Sequence, residues 1–78
     1  SFGNFDAAIA LLGGAIKDDP KIGEAWWRLA NIYWLSGNLA KAKEVAAEGK
    51  RTAGYFDEQG GRAISQVLAA TSSTPTLQ

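Results

Sequence analysis

The sequence predicts an all-α fold of about four helices arranged as antiparallel pairs. Two observations carry this prediction. Apolar residues recur at spacings of three and four along most of the chain, which is the period of an amphipathic helix. The chain also matches itself at an offset of 34 residues, so that the segment beginning at Gly3 falls on the segment beginning at Gly37. A repeat of this length is typical of stacked helical units.

The two copies of the repeat match at polar, small and apolar positions alike. The pairs are Gly3 with Gly37, Asn4 with Asn38, Phe5 with Leu39, Ala8 with Ala42, Leu11 with Val45, Leu12 with Ala46, Ala15 with Gly49 and Lys17 with Arg51. A weaker second part pairs Glu24, Arg28, Leu29, Ala30, Tyr33 and Trp34 with Glu58, Arg62, Ala63, Ile64, Val67 and Leu68. The chain is therefore interpreted as about two units of one repeated structure.

The first helix is predicted over residues 4–17. Asn4 is suited to the N-cap and Asp6 to the first turn, where the helix dipole favours a negative charge. Pro20 ends the helix, because proline disfavours a helical conformation in the residue before it. The apolar stripe of this helix consists of Phe5, Ala8, Ile9, Leu12, Ala15 and Ile16.

The second and third helices are predicted over residues 23–36 and 39–51, with Gly37 ending the second. The core stripe of the second helix consists of Trp26, Leu29, Ala30 and Tyr33. The third helix is expected to turn Leu39, Ala42, Val45, Ala46 and Gly49 inward. Its outward face is expected to be charged, with Lys41, Lys43, Glu44, Glu48 and Lys50.

The fourth helix is predicted over residues 57–70. Its buried side consists of Ala63, Ile64, Val67 and Leu68. Gly60 and Gly61 weaken its first turn by about 1 kcal/mol each. Residues 71–78 are polar and contain a proline, so they are predicted to form a disordered tail after a helical domain over residues 1–70.

Composition excludes several classes of function. The chain has no cysteine and no histidine, so it lacks disulfides, soft zinc ligands and the usual proton-transfer side chain. Eight basic and eight acidic residues balance to zero charge, which argues against a nucleic-acid partner. No apolar run approaches the ~20 residues of a membrane span. We expect no catalytic residue, cofactor or metal, and the lack of cysteine suits the cytosol and the bacterial periplasm equally.

The stretch from Trp26 to Gly54 resembles the tetratricopeptide repeat. Its signature positions are filled by Trp26, Leu29, Ala30, Tyr33, Gly37 and Ala42. It departs from the pattern at three places, with Ala30 for glycine, Ala46 for a larger residue and Gly54 for the closing proline. The resemblance implies a right-handed solenoid made of a half repeat, one full repeat and a degenerate capping helix. It also implies a non-enzymatic scaffold that binds other proteins.

In proteins of this family, the first helices of successive pairs line a concave groove that binds peptides. By this resemblance the partner-binding residues are Trp27, Asn31, Trp34 and Leu35, with Glu24 and Arg28 near the rim and Tyr55, Phe56 and Leu68 completing the wall. Asn31 would hold a peptide backbone. A lysine grip on a carboxylate is not expected, because Trp27 and Leu35 occupy places where some members carry lysine. The alternatives are that the indoles pack on a neighbouring helix or that this face associates with a second copy.

A second hypothesis is self-association through the first helix. No predicted helix precedes it to cover Phe5, Ile9, Leu12 and Ile16, so this stripe is expected to be exposed. The sequence then predicts either a piece of a longer repeat protein or a domain whose missing helix comes from another copy.

Overall fold

The computed structural model describes residues 5–72, which form four helices. They are α1 (Phe5–Asp18), α2 (Gly23–Leu35), α3 (Leu39–Thr52) and α4 (Glu58–Ser72). The predicted all-α repeat fold is confirmed. α4 continues through Thr71 and Ser72, which the sequence assigned to the tail. The rest of that tail, residues 73–78, and the predicted N-cap Asn4 lie outside the described residues.

α2 is the central helix of the structure. It contacts α1, α3 and α4, whereas α1 contacts α2 alone among the described helices, and α3 and α4 also contact each other. The hydrophobic core consists of Trp26, Trp27, Leu29, Ala30, Ala42, Val45, Ala46, Ile64 and Val67. Two large indoles fit between the helices because small residues face them. A Cβ added at Gly49 would lie 2.7 Å from the Cβ of Trp26, so α3 approaches α2 more closely here than a residue with a Cβ would allow.

The α1–α2 and α3–α4 turns lie side by side. The backbone N–H of Gly54 donates to the carbonyl of Lys21 at 3.3 Å, and Ile22 forms an isolated parallel bridge with Tyr55. The indole Nε1 of Trp26 donates to the carbonyl of Pro20 at 2.7 Å, which ties the first of these turns to the core. Pairing of the two turns fixes the start of α4 against the start of α2.

Between α2 and α3 the chain reverses in a Schellman turn. Gly37 has a positive φ of 89°, and the N–H of Asn38 donates to the carbonyl of Tyr33 at 2.9 Å. The side chain of Asn38 then accepts the N–H of Lys41 at 3.2 Å and caps α3. Gly37 therefore ends α2, as the sequence predicts.

The apolar stripe of α1 faces α2, which differs from the sequence-based expectation that it is exposed. Ile9, Leu12 and Ile16 are partly buried and pack against the core, and Phe5 is partly buried as well. No residue of α1 is fully buried. A single neighbouring helix covers the stripe only in part, because a helix needs contacts on more than one side to bury its residues completely.

A candidate interaction groove between α2 and α4

Two helices one repeat apart, α2 and α4, border an open cleft of about 430 Å³. Trp27 and Asn31 line it from α2, one turn apart on the same face of the helix. From α4 the cleft is lined by Glu58, Gln59, Arg62, Ala63 and Gln66. We call this cleft the α2–α4 groove. It brings together Trp27 and Asn31, two of the residues in the sequence-based prediction, and polar α4 residues that the prediction did not include.

Trp27 is the buried wall of the groove. Its side chain is 8% exposed and packs on Gly60, where an added Cβ would lie 2.4 Å from the indole Cδ1. The indole Nε1 is buried and has no hydrogen-bond partner among residues 5–72. Most of the Trp27 side chain therefore packs on α4. Packing on a neighbouring helix is one of the roles that the sequence left open.

Asn31 is the polar centre of the site. It is partly buried, and its amide offers two donors and one acceptor. Leu35 lies one turn beyond Asn31 and is 65% exposed, whereas Trp34 is partly buried and packs against the core. The predicted α2 residues thus differ in accessibility, with Leu35 open to solvent and Trp34 only partly so.

The α4 wall differs from the one that the sequence predicts. Tyr55 is 74% exposed and lines a separate cleft near Lys21 and Ile22. Phe56 and Leu68 are partly buried and pack against the core. The α4 residues that do line the groove recur at spacings of three and four, and this series is visible in the sequence. Whether the series faces α2 depends on how the α3–α4 turn pairs with the α1–α2 turn.

Charges on the α4 wall neutralise one another. Arg62 Nη2 lies 2.8 Å from Glu58 Oε2, and the two residues form an exposed salt bridge one helical turn apart. Gln59 and Gln66 add neutral amides. The groove is therefore polar without a net charge.

A second cleft, of about 370 Å³, lies on the other side of α2 against α1. It is more apolar and shares Trp27 and Asn31 with the α2–α4 groove; the other residues that line it are Ala8, Leu11, Leu12, Arg28 and Ile32. The Arg28 guanidinium lies 4.8 Å from the centroid of the Trp27 ring and pairs with Glu24 at 2.9 Å. Arg28 thus covers the indole at the rim of this second cleft.

A family model described as "Tetratricopeptide repeat" matches residues 1–54, more than half of the 78-residue chain. The chain belongs to the tetratricopeptide repeat family. α2 and α3 form its complete helix pair, and α1 is the second helix of the unit before it. No curated protein and no solved structure matches the chain.

Membership of the tetratricopeptide repeat family indicates a protein-interaction module, since these repeats are generally non-catalytic scaffolds. Among residues 5–72, no group of three or more acidic, histidine or cysteine side chains is placed to hold a metal ion. None of the four helices described is both long and apolar enough to cross a membrane.

The outward face of α3 is ion-paired, as the sequence predicts for a solvated surface. Hydrogen bonds from Arg51 and then Thr52 lower the pKa of Glu48. A hydrogen bond to Glu44 raises the pKa of Lys41. These groups lie on α3, which contributes no residue to the α2–α4 groove.

Proposed function

We propose that this tetratricopeptide module is non-enzymatic and binds an extended segment of a partner protein in the α2–α4 groove. The observation that carries the proposal is the joint lining of one open cleft by Trp27 and Asn31 of α2 and by Arg62 and Gln66 of α4. A groove between parallel-running helices of successive units offers a continuous track for an extended chain.

The chemistry of the groove favours recognition of the peptide backbone. Asn31, Gln59 and Gln66 present side-chain amides, and an amide matches the donor and acceptor of a peptide group. Glu58 and Arg62 are already paired with each other at 2.8 Å, and the whole chain has a net charge of zero. A strongly charged ligand would gain little here, so the preferred partner is a neutral or weakly charged segment.

Apolar contacts supply the remaining affinity. Leu35 is exposed one turn beyond Asn31 and gives an apolar side chain of the partner a place to pack. The exposed part of the Trp34 ring contacts the partner. Trp27 packs against Gly60 and forms a rigid wall of the groove. Arg28, which lines the second cleft and is paired with Glu24, borders the site from the α1 side.

Selection of 12-residue peptides from a random phage library on the full chain tests this function. Backbone amide shifts in ¹⁵N NMR spectra are expected on α2 and α4 when a selected peptide is added. Asn31→Ala and Gln66→Ala are each expected to weaken binding about fivefold, the loss of one hydrogen bond worth roughly 1 kcal/mol.

Ser65→Ala is the matched control for Gln66→Ala, because Ser65 is the exposed neighbour of Gln66 on α4 and is not among the lining residues. N-methylation of single peptide bonds in the selected peptide adds a direct test of backbone recognition. If the Asn31→Ala and Gln66→Ala variants bound the peptide as tightly as the original chain, or if the shifts were confined to the outward face of α3, the ligand would bind elsewhere.

A further inference from the structure

The two helices that border the α2–α4 groove carry the same exposed ion pair. Glu24 pairs with Arg28 on α2 at 2.9 Å, and 34 residues later Glu58 pairs with Arg62 on α4 at 2.8 Å. In each pair the arginine follows the glutamate by one helical turn, and more than half of each side chain is exposed. One arrangement of charge is therefore repeated on two neighbouring helices.

This ion pair is also all that α2 and its copy share in residue identity. At the 34-residue offset, the only identical residues are Glu24 with Glu58 and Arg28 with Arg62. The buried positions of α2 all carry a different residue on α4. Exposed charged residues that stay the same while the core around them changes indicate a surface that binds something.

Helix stability alone does not explain the position of this pair. A glutamate in the first turn followed by an arginine one turn later stabilises any helix, wherever its exposed side lies. On the outward helix α3, Lys41 pairs with Glu44 and Glu48 pairs with Arg51. One repeat earlier, α1 has alanine, alanine and glycine in place of the first three of these residues. Ion pairs on the outward helices are thus not repeated, whereas the pair beside the groove is.

The repeated pair gives the groove two rows of charge. Glu24, Arg28 and Asn31 lie on one face of α2, because their spacings are four and three, and Glu58 and Arg62 line the groove together with Asn31. We call Glu24 with Glu58 the acidic row and Arg28 with Arg62 the basic row. Each row crosses from α2 to α4, whose axes lie roughly 8–10 Å apart if they pack as helices usually do. The two rows are one helical turn apart, about 6 Å along the helices.

A ligand in the polyproline II conformation matches this spacing. That conformation rises about 3.1 Å per residue with three residues per turn, so side chains three residues apart point the same way and lie roughly 9 Å apart. Acidic side chains along one edge of such a ligand meet the basic row, and basic side chains along another edge meet the acidic row. A guanidinium that already donates to its glutamate keeps further N–H groups for a ligand carboxylate. The matching ligand carries no net charge, as the neutral groove favours.

We infer that the α2–α4 groove recognises the order of charges in its partner, a polyproline II segment with one acidic and one basic residue in every three. The inference rests on the proposed function, because it names the chemistry of the segment that the groove binds. Arg28 is positioned for this contact by the Trp27 ring, whose centroid lies 4.8 Å from the guanidinium.

A 12-residue peptide of four Asp-Pro-Lys units is the probe. The control is a peptide of the same composition in which all aspartates precede all lysines. The repeating peptide is expected to bind the full chain about tenfold more tightly than the control in a ¹⁵N NMR titration at low salt. This preference is expected to vanish in about 1 M NaCl, where the Debye length is about 3 Å. Equal affinities at low salt, or no binding of either peptide, would overturn the inference.

Exchange of the ion pair on one helix tests the rows themselves. The double substitution Glu24→Arg, Arg28→Glu keeps the net charge and a pair on α2, but each row then contains one acidic and one basic residue. The substitution Glu58→Arg, Arg62→Glu has the same effect from α4. Each of these two variants is expected to bind the repeating peptide about tenfold more weakly than the original chain.

Exchange on both helices at once rebuilds two uniform rows in the opposite order. The repeating peptide fits these rows when it binds in the reverse direction, so the fourfold variant is expected to regain the original affinity. Because arginine before glutamate is the weaker order on a helix, this variant is also expected to be the least stable in urea denaturation. Binding that is weakest in the fourfold variant would mean that the exchanges act through stability, and would overturn the inference.

The charge rows and the groove function fail in different ways. If library-selected peptides depend on Asn31 and Gln66 while the one-helix exchanges leave the binding of every peptide unchanged, the groove function stands and the charge rows are overturned. Peptides that cause no shift on α2 or α4 would overturn both.

Discussion

Two adjacent glycines in the first turn of α4 have opposite roles. A Cβ at Gly60 would lie 2.4 Å from Trp27 Cδ1 and 2.7 Å from its Nε1. Gly60→Ala is expected to destabilise the fold by up to about 2 kcal/mol, because an overpacking cost of roughly 1–3 kcal/mol opposes a helix-propensity gain of about 1 kcal/mol. Urea denaturation followed by circular dichroism measures the change.

Gly61→Ala is the matched control at the next position. Nothing lies within 4 Å of a Cβ at Gly61, so this variant is expected to stabilise the chain by about 0.5–1 kcal/mol. Equal effects of the two substitutions would mean that the indole does not pack on Gly60.

The sequence alone assigned both glycines the same role, as weak points in a helix. Helix propensity is a property of each residue and its neighbours along the chain, whereas the role of Gly60 depends on an indole that is 33 positions away and comes close only in the folded state. The same reason explains Trp27. Its spacing places it on a second apolar face of α2, but no spacing tells which neighbouring helix covers that face.

Ion pairing on α3 makes a prediction about pH. Arg51 is the main cause of the lowered pKa of Glu48, so Arg51→Ala is expected to return that pKa toward the ordinary glutamate value in a carboxyl NMR titration. Because the folded-state pKa is lowered, the pair stabilises the fold above the ordinary glutamate pKa and loses this effect as the pH falls through the lowered value.

Arg62→Ala serves as the comparison for Arg51→Ala, because Arg62 pairs with Glu58 on α4. It is expected to leave the titration of Glu48 unchanged. A Glu48 carboxyl that titrates alike in the original chain and in Arg51→Ala would remove the proposed cause.

Among the elements, the helices were the most predictable feature and their contacts the least. Apolar spacing and the 34-residue repeat predicted four helices, and Gly37 predicted the turn after α2. The wall of the groove was not predictable, because the turn before α4 orients that helix through the pairing of Gly54 and Tyr55 with Lys21 and Ile22. This pairing is made by backbone groups, which nearly all residue types share, so the residue types of the two turns do not reveal it.

α1 is expected to be the least stable helix. Of the helices described, it contacts α2 alone; it buries no residue fully and contains Gly13 and Gly14. Hydrogen exchange at low protein concentration is expected to show faster opening in α1 than in α2. Gly13→Ala, where nothing lies within 4 Å of the new Cβ, is expected to slow that exchange about fivefold, by a gain of roughly 1 kcal/mol in helix propensity.

The outcome that contradicts this ranking is equal protection of α1 and α2 amides in the original chain. It would mean that the chain opens as one unit, with the α1–α2 contact as strong as the contacts of the core. A selective effect of Gly13→Ala on α1 would instead identify α1 as a unit that opens by itself.

For the molecule as a whole, stability depends on α2 because this helix connects all the others. A domain of 78 residues is expected to have a free energy of unfolding of only about 4–12 kcal/mol, at roughly 0.05–0.15 kcal/mol per residue. Trp27→Ala removes a buried indole at a cost of about 3–5 kcal/mol. Trp27→Ala is therefore expected to lower the urea midpoint strongly and, where the original chain lies at the lower end of this range, to unfold the whole chain at 25 °C with loss of helical circular dichroism.

Trp27→Phe separates the volume of the indole from its polar atom. The Trp27 Nε1 is buried without a hydrogen-bond partner in the described part of the chain, and such a group costs roughly 1–3 kcal/mol. Phenylalanine removes this cost while it keeps most of the apolar contact with Gly60, so Trp27→Phe is expected to stay folded and to lie within about 1–2 kcal/mol of the original chain in urea denaturation.

Trp34→Ala, at a partly buried position near the end of α2, is expected to be less destabilising than Trp27→Ala. If Trp27→Ala instead had the same free energy of unfolding as the original chain in urea denaturation, Trp27 would be dispensable to the core and available for ligand contact.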